Sequence, residues 1–73
     1  MRINKDYVIG EILDTIGMMQ INNEPIPVIS SVTIDSLSED FLFNWNEVGD
    51  PEANFDRTLL EWLREEFKRD IYS

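Results

Sequence analysis

Apolar positions in the first part of the chain recur with the spacing of a helix. Val8, Ile9, Ile12, Leu13 and Ile16 fall on one side, and Glu11 and Asp14 fall on the other. Asn4 stands ahead of them as a cap, and Asp6 lies where the positive end of a helix favours an acid. The spacing predicts a helix over residues 4–17, ended by Gly17. Gly10 in its interior costs about 1 kcal/mol relative to alanine, and a strand over Tyr7–Leu13 competes with the helix.

After Gly17 the period changes. Asn22-Asn23-Glu24-Pro25 is turn chemistry between two apolar stretches. Ile26, Val28, Val32 and Ile34 alternate with Pro27, Ser31, Thr33 and Asp35, with a break at Ile29-Ser30. This predicts a hairpin of Met18–Ile21 with Pro27–Ile34, its prolines at an edge or a strand start. Residues Asp35–Asp40 read as a turn, although Ser36-Leu37-Ser38-Glu39 has the form of a helix capping box. Phe41, Phe43 and Trp45 alternate with polar or poorly helical residues, which predicts a strand at 41–46 with all three rings on one face.

Asp50-Pro51-Glu52 opens the last element. Aspartate caps, proline fits the first helical position, and glutamate meets the helix dipole. From there Phe55, Leu59, Leu63 and Phe67 step by four as far as Ile71, with Leu60 and Trp62 beside them. Glu61–Arg64 and Glu65–Arg69 are placed to pair along the outer side. The apolar stripe reads as core, or alternatively as a helix docked into a neighbour.

These elements give the order α-β-β-β-α. The expected fold is a small α+β single domain over residues 1–73, a three-stranded antiparallel sheet packed by a long C-terminal helix.

Composition limits the chemistry. The chain has 73 residues, no cysteine and no histidine. Its small core has no disulfide or zinc–thiolate site to reinforce it. Histidine-based nucleophile systems and Cys/His zinc sites are excluded within this chain. Gly10, Gly17 and Gly49 are its only glycines, so there is no phosphate-cradling loop. Carboxylate catalysis stays formally open, but a chain this short rarely forms the concave pocket it needs. No apolar run approaches the roughly 18 residues of a membrane span. With no signal-peptide pattern at the N-terminus, a cytoplasmic protein is expected.

Charge changes the picture further. The net charge is −9, yet the distribution matters more. From Asp6 to Asp56 there are eleven acids and no lysine or arginine, whereas Arg57–Ser73 is balanced at four of each sign. Such a field repels nucleic acid and anionic membranes and speeds encounter with basic surfaces. Acids also promote solubility by themselves.

Two local patterns suggest specific ligands. Asp50, Glu52, Asn54, Asp56, Thr58 and Glu61 occupy the register of a calcium-binding EF-hand loop. Phe55 stands where that loop needs glycine, and a capped helix start explains the same residues, so no metal is expected. Asp35-Ser36-Leu37 resembles the phosphopantetheine attachment motif of acyl carrier proteins, small acidic helical bundles modified near mid-chain. The resemblance implies that Ser36 carries the prosthetic thiol and that Asp35 flanks it. The glycine and the acid that frame the family's motif are Thr33 and Phe41 here.

The leading expectation is a non-enzymatic protein, without a cofactor, that inhibits or sequesters a basic protein partner by charge complementarity. A nucleic-acid-processing enzyme is the prime case, with carboxylates standing where phosphates would sit. Small acidic phage and mobile-element inhibitors, immunity proteins and antitoxins share this composition, an analogy of kind rather than of motif. The residues expected to carry binding are Asp35, Glu39, Asp40, Glu47, Asp50, Glu52 and Asp56. Aromatic anchors among them would add binding energy. The alternatives are an acyl- or peptidyl-carrier-like protein modified on Ser36 and a small accessory subunit of a larger complex.

Overall fold

Asn4 caps the first helix as its position predicts: its side-chain oxygen accepts a hydrogen bond from the Tyr7 N–H at 2.8 Å. The computed structural model describes residues 3–48 and 54–72, the side chains of Val48 and Tyr72 excepted. Among these residues the chain forms three helices and no strand: α1 Lys5–Ile21, α2 Ser31–Val48 and α3 Phe55–Tyr72. The fold is all-α, and the expected α+β arrangement with a three-stranded sheet is incorrect.

α1 passes through Gly17 and ends four residues later. Met18, Met19 and Gln20 are good helix formers, and Met19 extends the buried stripe of Val8, Ile12 and Thr15 by another turn. The left-handed residue that follows is Asn23, with φ 58°, a conformation asparagine tolerates better than most residues. Its N–H bonds the Gln20 carbonyl, and Glu24 N–H bonds that of Met19, which satisfies the helix end. Met18–Ile21 is therefore the last turn of α1, not a hairpin strand.

The hairpin's other half divides in two. Residues 24–30 are an irregular connection whose Ile26 and Ile29 lean on the core. At Ser30 a helix begins. The Ser30 hydroxyl accepts from the Thr33 N–H at 3.2 Å, and its carbonyl accepts from the Ile34 N–H at 3.1 Å. The cap of α2 is thus Ser30, six residues before the serine of the predicted capping box.

Residues 41–46, expected as a strand, belong to the same helix. Their weak helix propensity is outweighed by packing. Ile34, Leu37, Ser38, Phe41 and Trp45 repeat at helical intervals, and all five are buried or half-buried. Phe43 is the residue this periodicity excludes, and it is 68% exposed. The three rings therefore do not share a face.

α3 is capped by Asn54, whose side-chain oxygen accepts from the Arg57 N–H at 3.0 Å. The predicted start at Asp50-Pro51-Glu52 lies outside the described residues. Leu59, Leu63 and Phe67 are buried, with Phe55, Leu60 and Trp62 packed beside them. The stripe is core, which removes the basis for α3 as the docking element of an accessory subunit. Its predicted outer pairs also differ: Arg57 meets Glu61 at 3.4 Å, Arg69 meets Glu66 at 3.3 Å, and Arg64 leaves the helix to hold Glu24.

α1 packs against both other helices. Val8, Ile12 and Met19 meet Phe41 of α2 and Leu59, Leu63 and Phe67 of α3 in one core. α2 and α3 join through rings: Phe41 lies 5.4 Å from both Phe55 and Trp62, and Trp45 lies 5.1 Å from Phe55. Edge-on and tilted aromatic pairs of this kind are favourable beyond the area they bury. Two hydroxyls enter the core. Ser38 donates to the Ile34 carbonyl and Thr15 to the Glu11 carbonyl, each at 2.7 Å, so neither is left unsatisfied.

Candidate functional site

α2 turns its core residues inward, so its polar residues share the opposite side. At 3.6 residues per turn, Asp35, Glu39, Asp40, Phe43 and Glu47 occupy less than half of the helix circumference. Val32 and Ser36 lie among them, and both are exposed. Four of the seven acids expected to bind a partner thus converge on one helix face, with Phe43 at its middle.

Of the remaining three, only Asp56 is among the described residues, and it lies on another helix. Asp56 is in the first turn of α3, beside Glu11 of α1. Partial burial, followed by the charges of Asp56 and Asp14, pushes the Glu11 carboxyl above its ordinary value. A hydrogen bond to Asp56, open to the protonated Glu11 carboxyl alone, adds the smallest part of the rise. Asp50 and Glu52 lie outside the described residues.

One cation enters the α2 face from the neighbouring helix. Lys5 Nζ lies 2.8 Å from Asp35 and 2.9 Å from Glu39, the two acids one turn apart on the side toward α1. Hydrogen bonding to Asp35, and then to Glu39, raises the Lys5 ammonium above its ordinary value. Asp40 and Glu47 lie on the far side of Phe43 from this clamp. The field of the face is therefore graded, partly neutralised at Asp35 and Glu39 and fully acidic at Asp40 and Glu47.

A second clamp fixes the connection between α1 and α2. Arg64 donates through Nε to Glu24 Oε1 at 2.6 Å and through a terminal nitrogen to Oε2 at 3.0 Å. This two-pronged geometry is the strong form of an arginine–carboxylate pair. Hydrogen bonding to Arg64 lowers the Glu24 carboxyl below its ordinary value. It ties residue 24 to α3 across forty positions of sequence.

Neither ligand-specific motif keeps its expected setting. Asp56, Thr58 and Glu61 wind around α3 instead of lining a loop, and no group of acids among the described residues is arranged to hold a metal ion. Asp35-Ser36-Leu37 lies inside α2, past its first turn. Ser36 is exposed there, while Asp35 is held by Lys5.

Sequence reasoning grouped Phe43 with Phe41 and Trp45, and so missed it as a lone exposed anchor. It also overlooked Lys5, whose effect depends on α1 and α2 lying side by side. The signal for Phe43 was present in the interval from Ile34 through Leu37, Ser38 and Phe41 to Trp45, which skips residue 43.

Compared with protein-family models, curated proteins and solved structures, the chain matches none. No helix among the described residues is long and apolar enough to cross a membrane.

Proposed function

We propose that this is a small non-enzymatic binding protein whose α2 face engages a basic surface of a protein partner and thereby inhibits or sequesters it. The observation that carries this reading is the convergence of Asp35, Glu39, Asp40 and Glu47 around the exposed ring of Phe43. Exposed acids accelerate encounter with a basic partner and set register. A central aromatic residue supplies the apolar contact on which binding energy concentrates.

The test is a capture experiment from the source cell's lysate, eluted with a salt gradient. Wild-type protein is compared with the triple reversal Glu39→Lys, Asp40→Lys, Glu47→Lys and with Phe43→Ala. A basic protein held by the wild type, released as salt rises and lost from both variants, is the expected result. Unchanged retention by the triple reversal overturns electrostatic mimicry.

A second reading draws support from the helical fold and the exposed Ser36: a carrier-like protein modified on that hydroxyl. Its test is a mass increase after incubation with coenzyme A and a phosphopantetheinyl transferase, abolished in Ser36→Ala. Absence of modification removes this reading and leaves the first untouched.

A further inference from the structure

Lys5 stands where its own helix gives it no advantage. It is the first residue of α1, and the positive end of a helix dipole favours acids over bases. The compensation comes from α2. Lys5 Nζ lies 2.8 Å from an Asp35 oxygen and 2.9 Å from a Glu39 oxygen, the short range of charge-assisted hydrogen bonds. The arginines of α3 pair elsewhere, with Glu61, Glu24 and Glu66.

Asp35 and Glu39 are four residues apart, so one turn of α2 brings both carboxylates to a single ammonium. Their side chains are still 49% and 63% exposed. A side chain arriving from solvent can therefore reach the same two oxygens. The geometry is that of a seat for a primary ammonium, and the chain fills it with its own lysine.

We propose that Lys5 is an internal stand-in for a lysine of the basic partner, holding the Asp35–Glu39 seat until that lysine displaces it. Contact at Phe43, Asp40 and Glu47 brings the partner's side chain to the seat. The inference rests on the reading of α2 as the binding face. It names the side chain that one end of the face receives and the contact that restrains it.

Displacement exchanges one ammonium for another, so the seat adds little affinity of its own. It works instead against cations that lack the neighbouring contacts. A competing group built into the site sharpens specificity in this way.

The probe is an octalysine peptide, titrated into the full chain by calorimetry and mapped by amide chemical shifts. Lys5→Met should tighten it by about two- to fivefold, the scale of an exposed ion pair. Lys5→Arg keeps a cation in the seat and should leave the affinity at the wild-type value. Arg69→Met removes the same charge from α3 and frees Glu66, and it should change the affinity far less. Asp35→Asn combined with Glu39→Gln completes a cycle. The pair should weaken the peptide more in the Lys5→Met background than in the wild type, because only there is the seat open. Circular dichroism confirms that each variant is folded.

Equal gains from Lys5→Met and Arg69→Met overturn the inference, since the peptide then senses net charge alone. Equal losses from the carboxylate pair in both backgrounds overturn it as well. If the peptide still shifts Asp40, Phe43 and Glu47 in those cases, the proposed function stands and only the role of Lys5 falls. A peptide that shifts no residue of α2 in any variant overturns both.

Discussion

α2 and α3 are both 18 residues long and are built in opposite ways. α3 buries Leu59, Leu63 and Phe67 and balances its outer surface with both signs of charge. Its arginines find Glu61, Glu24 and Glu66. α2 buries Phe41 and the small Ser38, carries four acids and no base, and leaves a phenylalanine in solvent. One helix carries nearly equal numbers of both charges and organises the core. The other contributes less to the core and presents a field and an anchor. The difference teaches that the acid excess is local, since it is greatest where the chain supplies no compensating cation of its own.

The largest expected effect tests the core side of this comparison. Leu63→Ala should lose about 2–5 kcal/mol and Phe41→Ala about 3–5 kcal/mol, measured by urea unfolding followed by circular dichroism. Either loss is a large part of the stability of so small a domain. Phe43→Ala, two residues from Phe41 on the same helix, should change stability by no more than about 0.5 kcal/mol while weakening the partner. A Phe43 loss as large as that of Phe41 would erase the distinction between the two sides of α2.

A second pair of variants sets two carboxylates against each other. Glu24 is lowered from the ordinary value of 4.5, so its contribution is present above that pH and is lost as pH falls through its folded value. Glu24→Gln should destabilise the protein at neutral pH, and the difference should vanish in acid. Glu11 is raised from the same ordinary value, so it favours the fold only when protonated. Its contribution is lost as pH rises through the folded value. Glu11→Gln should therefore stabilise the protein at neutral pH and have little effect in acid. Thermal unfolding across pH 3–8 measures both, and two curves of the same sign would contradict this assignment of charges.

The smallest effect on stability is expected at Lys5. Its ammonium is raised from 10.5, so the contribution of its pairs is complete below that pH and fades as pH rises through the folded value. Exposed pairs of this kind contribute little and weaken with salt. Lys5→Met should thus be only slightly destabilised, and the difference should shrink further above pH 10.5 or in high salt. The same substitution frees Asp35 and Glu39 and should tighten a basic partner. Weaker binding would show that the α2 face is not where that partner docks.

The first and last helices were legible because their apolar residues repeat at one period and a cap stands at or near the start. Asn4 and the Phe55–Phe67 stripe needed no tertiary information. The middle of the chain was misread because two periods overlap there. Phe41, Phe43 and Trp45 satisfy a period of two, while Ile34, Leu37, Ser38, Phe41 and Trp45 satisfy a helix. Serine at position 38 masks the second set, since a buried hydroxyl does not register as an apolar mark. Ser30 then decides for the helix as a cap, a role hidden by the prolines and alternating residues before it. The acids of the candidate face were legible as residue types, but their convergence depended on that misread element. Lys5 could be placed only once α1 and α2 were known to lie together.

The ring cluster at the junction of α2 and α3 gives the protein an optical probe of its own. Trp45 and Trp62 are its two tryptophans, and both lie against Phe41, at 5.9 and 5.4 Å between ring centres. Their emission therefore monitors one junction rather than the whole chain. Separation of α2 from α3 should shift it to the red and expose it to quenchers. The wavelength of the emitted light thus reports loosening of that junction without any label.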